Sequence, residues 1–258
     1  MLFRSQTRMA FETNGVFFML PSVETNLVGA AKERFELEAM RPFRPDLSPR
    51  LEVLRARDEQ PLRTLIWTVI NDLNPYNPAV QKIVELQIDF PINPPGFLKA
   101  ARTNQAKAIM LIKYMGQAQQ ALEQGRHLRD QEPDPRWQAN YDLIYAQLIA
   151  YQARIYEYGA ALEDFIQNPK TAPMMKGTAR LVHWDIHVTN SIRSEESAAY
   201  IKKASELLQA TSEDFAGTPW AVRAKYELRR GYGVDLRPDY HQPLRRVTTG
   251  TLIPIPKL

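Results

Sequence analysis

Apolar side chains recur at three- and four-residue steps over much of the chain, which is the pattern of amphipathic helices. The clearest run begins after Asp134-Pro135, an N-cap followed by proline at the first helical position, and stops at Asn168-Pro169. Its apolar positions are Tyr141, Ile144, Leu148, Tyr151, Ile155, Tyr158, Leu162 and Phe165. A second long run covers about 97–122, so an antiparallel helical hairpin is predicted over 97–167.

Shorter helices are predicted on both sides of this hairpin. Pro61 opens one that stops at Asn74-Pro75, and another short one is expected near Val80–Leu86. Beyond the hairpin, Ser194 is expected to cap a helix that contains Tyr200 and Phe215. Thr218-Pro219 then starts a last helix, which ends before Gly231.

Other segments lack helical periodicity. Residues 178–189 alternate like a strand, and Val16–Leu20 reads as a short buried strand. The tail 234–258, rich in Pro and Arg, is expected to drape over the helices or to be disordered. The predicted fold class is therefore mainly α, an irregular bundle or repeat-like helical stack with a small α/β remnant at the N-terminus.

Prolines at positions 42 and 45 separate two regions of different character. The predicted domains are 1–45, with a strand and a helix over about 28–40, and 46–258, which is helical with an extended tail. A single strand forms no stable sheet alone, so Val16–Leu20 requires partners that its neighbourhood does not supply.

Composition narrows the function classes. The net charge is only +4 and basic residues are interspersed with acidic ones, which argues against a nucleic-acid partner. The chain has no cysteine, which excludes disulfides, thiolate zinc sites and a cysteine nucleophile. No segment approaches the ~20 apolar residues of a membrane span. A cytoplasmic location is expected for the chain as written, and export if an upstream extension carries a signal.

The sharpest cluster of reactive side chains is His183-Trp184-Asp185-Ile186-His187. In a strand, His183, Asp185 and His187 share one face, and two imidazoles with a carboxylate are a workable set of divalent-metal ligands. The alternative is that Trp184 and Ile186 face the core while the polar trio faces water. No phosphate-binding glycine loop, nucleophile elbow or His-Glu-x-x-His motif is present, so no cofactor is predicted and enzymatic activity stays open, with a non-enzyme favoured.

Residues 200–233 resemble a bacterial tetratricopeptide-type repeat. A helix with Ala204, Leu207 and Leu208 leads through Gly217-Thr218-Pro219 into a second helix with spaced alanines and a final glycine. Residues 137–165 resemble repeat helices more loosely. The resemblance implies helix pairs that stack on one another and present a concave surface to a polypeptide.

Residues 8–20 resemble the closing helix, turn and strand of a von Willebrand factor A domain, with Thr13-Asn14-Gly15 in place of the family's Thr-Gly-Gly-like turn. The resemblance implies an ancestral protein with an A domain upstream. That family binds a divalent metal through Asp-x-Ser-x-Ser, whereas the segment 46–50 here reads Asp-Leu-Ser-Pro-Arg. No metal-site residue is therefore carried over.

The function predicted from these features is a non-enzymatic interaction or scaffold protein that offers a groove between helices to another protein or peptide. The working surface is expected on 97–167 together with 195–233. The nominated partner-binding residues lie off the main apolar stripes: Tyr145, Gln152, Arg154 and Arg223. The alternative is a divalent-metal protein or hydrolase that uses His183, Asp185 and His187. The partner's identity and the oligomeric state are left open.

Overall fold

The computed structural model describes residues 35, 37–43, 52, 59–74, 78 and 80–241, and within them the fold is mainly α with a small antiparallel sheet. The helices are α1 (Leu37–Met40), α2 (Pro61–Asp72), α3 (Gln81–Val84), α4 (Pro94–Gln124), α5 (Arg126–Gln131), α6 (Pro135–Gln167), α7 (Ser197–Asp214) and α8 (Pro219–Arg230). The strands are β1 (Asp89–Pro91), β2 (Met175–Lys176), β3 (Ala179–Thr189) and β4 (Gly233–His241). None of the helices in this part of the chain is long and apolar enough to cross a membrane.

The two long helices confirm the predicted hairpin elements, and their ends follow from local chemistry. The Asp134 carboxylate accepts the backbone N–H of Arg136 at 2.9 Å, so the first turn of α6 is capped as expected. Thr218 precedes Pro219 at the start of α8 and accepts the N–H of Ala221 at 3.5 Å. Both caps were readable from the Asp-Pro and Thr-Pro pairs.

The expected cap at Ser194 is wrong. Helix α7 begins at Ser197, and the Ser194 hydroxyl donates to Glu196 at 2.7 Å instead of accepting a helical N–H. The buried Glu157 carboxylate binds this segment, because it accepts the N–H of Ser194 at 2.9 Å and the Ser197 hydroxyl at 2.6 Å. The segment predicted to cap the helix is thus held by a long-range contact with α6.

The sheet is organised around β3, which confirms the strand predicted at 178–189. Strand β4 pairs antiparallel along one edge of β3, from Thr189↔Gly233 to Arg180↔His241. Strands β1 and β2 pair with separate parts of β3, Phe90 opposite Trp184 and Met175 opposite Arg180. Since Arg180 and Trp184 also pair with β4, both short strands lie on the other edge.

Two strands differ from the sequence prediction. No strand is predicted between the short helix near Val80–Leu86 and the long helix that follows, yet Asp89–Pro91 forms β1. The start of the predicted tail, 234–241, belongs to β4 and is neither draped over the helices nor disordered. Pro91 and Pro238 weakened the strand signal there, although proline is compatible with edge strands, where one side of the backbone makes no ladder bonds.

The residues 1–34 and 242–258 lie outside the described part of the chain. The predicted strand Val16–Leu20 and most of the helix 28–40 are therefore not tested, and neither is the predicted boundary near residue 45. Contacts between residues divide the chain into two compact units. The first unit is Met1–Asp72, Ala118–Leu148 and Ala204–Arg229, and the second is Leu73–Gln117, Ile149–Lys203 and Arg230–Leu258.

The first unit packs helical segments around Leu62, Ile66 and Leu122, which are all at most 2% exposed. Its polar contacts stabilise the ends of helices. The Arg63 guanidinium binds Glu132 at 3.0 Å, between α5 and α6, and the Tyr141 hydroxyl donates to the carbonyl of Leu122 at 2.6 Å.

The second unit packs its helical segments against one face of the sheet through a row of aromatic rings. Phe90 is fully buried, and its ring centroid lies 5.4 Å from that of Phe97. The ring centroids of Phe97 and Phe165 are 4.4 Å apart, and those of Phe165 and Trp184 are 4.8 Å apart. The inner face of the sheet is thus apolar. The outer face carries the polar residues described next.

Candidate metal centre on the outer face of the sheet

Strand β3 alternates between a buried and a polar face. Leu181 and Trp184 are 4% and 5% exposed on the inner face, while His183 and Asp185 project from the other side. Same-face positions of a regular strand are two apart in sequence, yet Leu181 and Trp184 are three apart. A bulge between Leu181 and His183 inserts Val182 without a partner in β4 and resets the alternation.

The neighbouring strands bring further carboxylates to His183 and Asp185. In the pairing register Asp89 of β1 lies opposite Asp185, and Asp239 of β4 lies opposite His183. The Nε2 atom of His183 is 3.1 Å from Asp185 Oδ1, 3.3 Å from Asp239 Oδ2 and 3.7 Å from Asp89 Oδ1. His241 joins at the margin, where its Nδ1 is 3.0 Å from Asp239 Oδ2.

The cluster brings the carboxylates of Asp89, Asp185 and Asp239 close to one another. Partial burial, followed by the hydrogen bond and negative charge of Asp89, raises the pKa of Asp185 above its usual value, and the nearby His183 opposes that rise. Like charges directly opposite on paired strands are destabilising. A cation between the two carboxylates removes this repulsion.

The spacing of the ligand atoms suits a small divalent cation. One ligand atom each from Asp89, His183 and Asp185 lies within 4.8 Å of the other two. Ligands held at 2.0–2.2 Å around a tetrahedral zinc are separated by about 3.4 Å. The distances of 3.1 Å and 3.7 Å from His183 Nε2 to the two carboxylates bracket that value.

Of the three residues predicted as metal ligands, the structure brings two together. His183 and Asp185 belong to the cluster, while His187 is exposed further along β3, opposite Asp235, and is not in the group. Strand alternation places same-face residues in a row instead of around one point, so the third predicted ligand lies too far along the strand.

Sequence reasoning missed Asp89, Asp239 and His241. Asp89 lies in a short strand among prolines, and Asp239 and His241 lie in the segment read as tail. The one usable local signal was the acidic residue next to a buried aromatic one in Asp89-Phe90. Only strand pairing places them beside His183.

The nominated partner-binding residues occupy different environments. Gln152 and Arg154 are 1% and 8% exposed, so they present little surface to a partner. Tyr145 is half-buried and donates to Glu123 at 2.7 Å, while the Arg223 side chain is 46% exposed and binds Glu227 at 2.7 Å. Tyr145 and Arg223 belong to the first compact unit, and the two buried residues to the second.

The chain matches no protein-family model, no curated protein and no solved structure. The resemblances to a tetratricopeptide repeat and to a von Willebrand factor A domain therefore stay predictions.

Proposed function

We propose that this protein binds a divalent metal ion through Asp89, His183 and Asp185. The observation that supports the proposal best is the convergence of one imidazole nitrogen and two carboxylates, from two paired strands, within 4.8 Å. A protonated His183 would also satisfy the carboxylates, in which case the cluster is an ion-pair network. A measurement of metal binding therefore distinguishes a metal site from an ion-pair network.

The ligand set favours zinc over calcium or magnesium, and manganese is the second ion to test because two of the three ligands are carboxylates, which suit it. Imidazole nitrogen suits zinc and similar transition metals, whereas calcium and magnesium prefer oxygen alone. Three protein ligands leave at least one coordination position for water or a substrate, which is the arrangement of catalytic rather than structural zinc sites. Hydrolysis is thus the activity to assay, and it depends on metal binding being demonstrated first.

The direct experiment is calorimetric titration of the chelator-treated chain with Zn²⁺ and with Mn²⁺, together with thermal melting. We expect one ion per chain. Binding at a hundredfold excess over the dissociation constant stabilises the folded state by about 2.7 kcal/mol. For a chain of this size that corresponds to a rise in Tm of roughly 5–10 °C, reversed by EDTA.

His183→Ala and His187→Ala form a matched pair, because both remove an imidazole from the same strand. The first is expected to abolish metal binding and the second to leave it unchanged. Asp89→Asn removes a carboxylate on an exposed side chain and is expected to weaken affinity at least tenfold. Equal effects of the two histidine variants, or no heat of binding with either ion, would show that the cluster is an ion-pair network.

Binding of a polypeptide is a second candidate, and a groove between α4 and α6 in the second unit favours it. Its cavity volume is about 460 Å³. Ile109 on its wall is 70% exposed, and a Cβ atom built on Gly159 meets nothing within 4 Å. Open space over small residues between two helices suits an amphipathic helix from another protein.

Filling the groove tests this second candidate. Gly159→Gln places a side chain in the open space, and Gly116→Gln is the control, since Gly116 on α4 is equally open but does not line the groove. A partner polypeptide is expected to cross-link to the wild type and to the Gly116→Gln control. The cross-link is expected to be lost with Gly159→Gln. Retention by all three proteins would locate binding elsewhere.

A further inference from the structure

A second cavity of the same unit lies where α6 ends and α4 begins, against the row of aromatic rings on the inner face of the sheet. Its volume is about 370 Å³, which is within the ~300–1,000 Å³ typical of small-molecule pockets. Three rings of the row line it, those of Phe97, Phe165 and Trp184. Further apolar lining comes from side chains that include Leu98 and Met174, so the cavity offers an apolar surface to a ligand.

The floor and the rim of this cavity differ in exposure. The three rings are only 5–7% exposed, so they form a floor that is fixed by the core. Leu98 on α4 and Met174 before β2 are 46% and 51% exposed and form the rim. A methionine side chain is unbranched and adapts its shape, so the rim can close on a bound molecule. Covering this rim removes apolar surface from water, which favours binding of an apolar ligand.

The charged groups beside the cavity compensate one another. Among the described residues that line it, Lys170 alone is charged, and its Nζ donates to Asp235 Oδ1 at 2.6 Å and to the carbonyl of Leu236 at 3.1 Å. Asp235 also binds Arg193 at 2.9 Å, and Arg193 binds Asp164 at 3.2 Å. Two cations and two carboxylates therefore leave no net charge in this network. Because an ionised ligand would lose water without gaining a counter-charge, the cavity favours a neutral ligand.

We infer that this cavity binds a neutral aromatic molecule that carries one hydroxyl or carbonyl group. The rings of the ligand lie against the floor, because aromatic rings attract one another in offset and edge-to-face arrangements beyond the burial of their area. The oxygen lies towards Thr171, which also lines the cavity and whose hydroxyl both donates and accepts hydrogen bonds. None of the described residues that line this cavity belongs to the proposed metal centre or to the groove between α4 and α6, so the inference is independent of both proposals.

The test ligand is 2-naphthylmethanol, and calorimetry with the full chain in the presence of EDTA measures its binding without any influence of a metal ion. We expect one molecule per chain. The anion 2-naphthoate and the cation 2-naphthylmethylammonium keep the ring system, and each is expected to bind at least about tenfold more weakly because its charge stays uncompensated. Decahydro-2-naphthylmethanol keeps the carbon skeleton without the aromatic rings, and its affinity is expected to be about threefold lower.

Leu98→Glu and Met110→Glu are matched variants. Both place a carboxylate at an exposed apolar position of α4, and of the two positions Leu98 lines the cavity. Leu98→Glu is expected to weaken binding of 2-naphthylmethanol about tenfold, because it removes apolar wall and adds a charge that the ligand would desolvate. Met110→Glu is expected to leave binding unchanged. Thermal melts of both variants confirm that they are folded, as expected for substitutions at exposed positions.

Three results would overturn the inference: no binding of 2-naphthylmethanol, equally tight binding of 2-naphthoate, or equal losses in the two α4 variants. A fourth comes from N-acetyltryptophanamide, which presents an aromatic side chain on a peptide backbone. If it bound more tightly than 2-naphthylmethanol, the occupant would be a side chain of a polypeptide partner, and the inference of a small-molecule site would be wrong.

Discussion

Glu157 is fully buried in α6, and replacing it with glutamine tests how the loop before α7 is held. One carboxylate oxygen accepts the backbone N–H of Arg193 at 2.8 Å. The other accepts the N–H of Ser194 at 2.9 Å and the hydroxyl of Ser197 at 2.6 Å. All three partners are donors, and a carboxylate has only acceptor atoms to offer them.

Glutamine has nearly the same shape but carries an NH₂ group in place of one oxygen. Whichever way the amide turns, its NH₂ faces a backbone N–H, so a buried donor loses its acceptor and meets another donor. The least costly orientation keeps the oxygen on Ser194 and Ser197 and leaves the N–H of Arg193 unpaired. Such a loss costs about 1–3 kcal/mol, and more when the acceptor was charged, so we expect about 2–3 kcal/mol.

Thermal unfolding followed by circular dichroism measures the effect. For a chain of this length, about 2–3 kcal/mol lowers the Tm by roughly 4–10 °C. Glu206→Gln is the control, since Glu206 is exposed on α7 and its replacement is expected to change the Tm by no more than about 1–2 °C. An unchanged Tm for Glu157→Gln would refute the reasoning, because it would mean that water or other groups satisfy the donors equally well.

Two further perturbations address the second unit. Burial acts to raise the pKa of Asp235, but the hydrogen bond and charge of Lys170, together with the charge of Arg193, outweigh it and the net pKa is lowered. The stabilisation from these contacts is therefore complete above the unfolded pKa of about 3.9 and is lost as pH falls through the lower folded pKa. Asp235→Asn is expected to lower the Tm at neutral pH, and the difference from wild type should shrink as the pH of the melts is lowered below about 3.9. A difference that stays constant over this range would contradict the pairing. Gly231 has φ +82°, and a Cβ there would lie 2.7 Å from the carbonyl oxygen of Thr189, so Gly231→Ala is expected to cost at least about 2 kcal/mol in urea unfolding. Gly116→Ala, on a helix with open space around the new methyl, is expected to be neutral or stabilising, and similar losses in both would refute the steric explanation.

The sequence determined most of the helical architecture, because helix ends depend on neighbours within one turn. Asp134-Pro135 marks the start of α6, and Thr218-Pro219 that of α8, within a residue. The apolar stripe from Tyr141 to Phe165 predicts the length of α6 because the 3.6-residue period is a local property. Ser194 shows the limit of such reasoning, since its backbone N–H donates to a buried carboxylate 37 residues away in sequence and the helix begins only at Ser197.

Only the tertiary structure decided the sheet and the site. Strand pairing depends on segments distant in sequence, and short proline-containing strands such as Asp89–Pro91 have no reliable local pattern. His183 and Asp185 were readable as a same-face pair within one strand. Asp89 and Asp239 reach them through cross-strand register, and His187 stays apart because one strand spreads its residues along a line. In this protein the cluster converges because β1, β3 and β4 meet, and their meeting is a property of the packed chain.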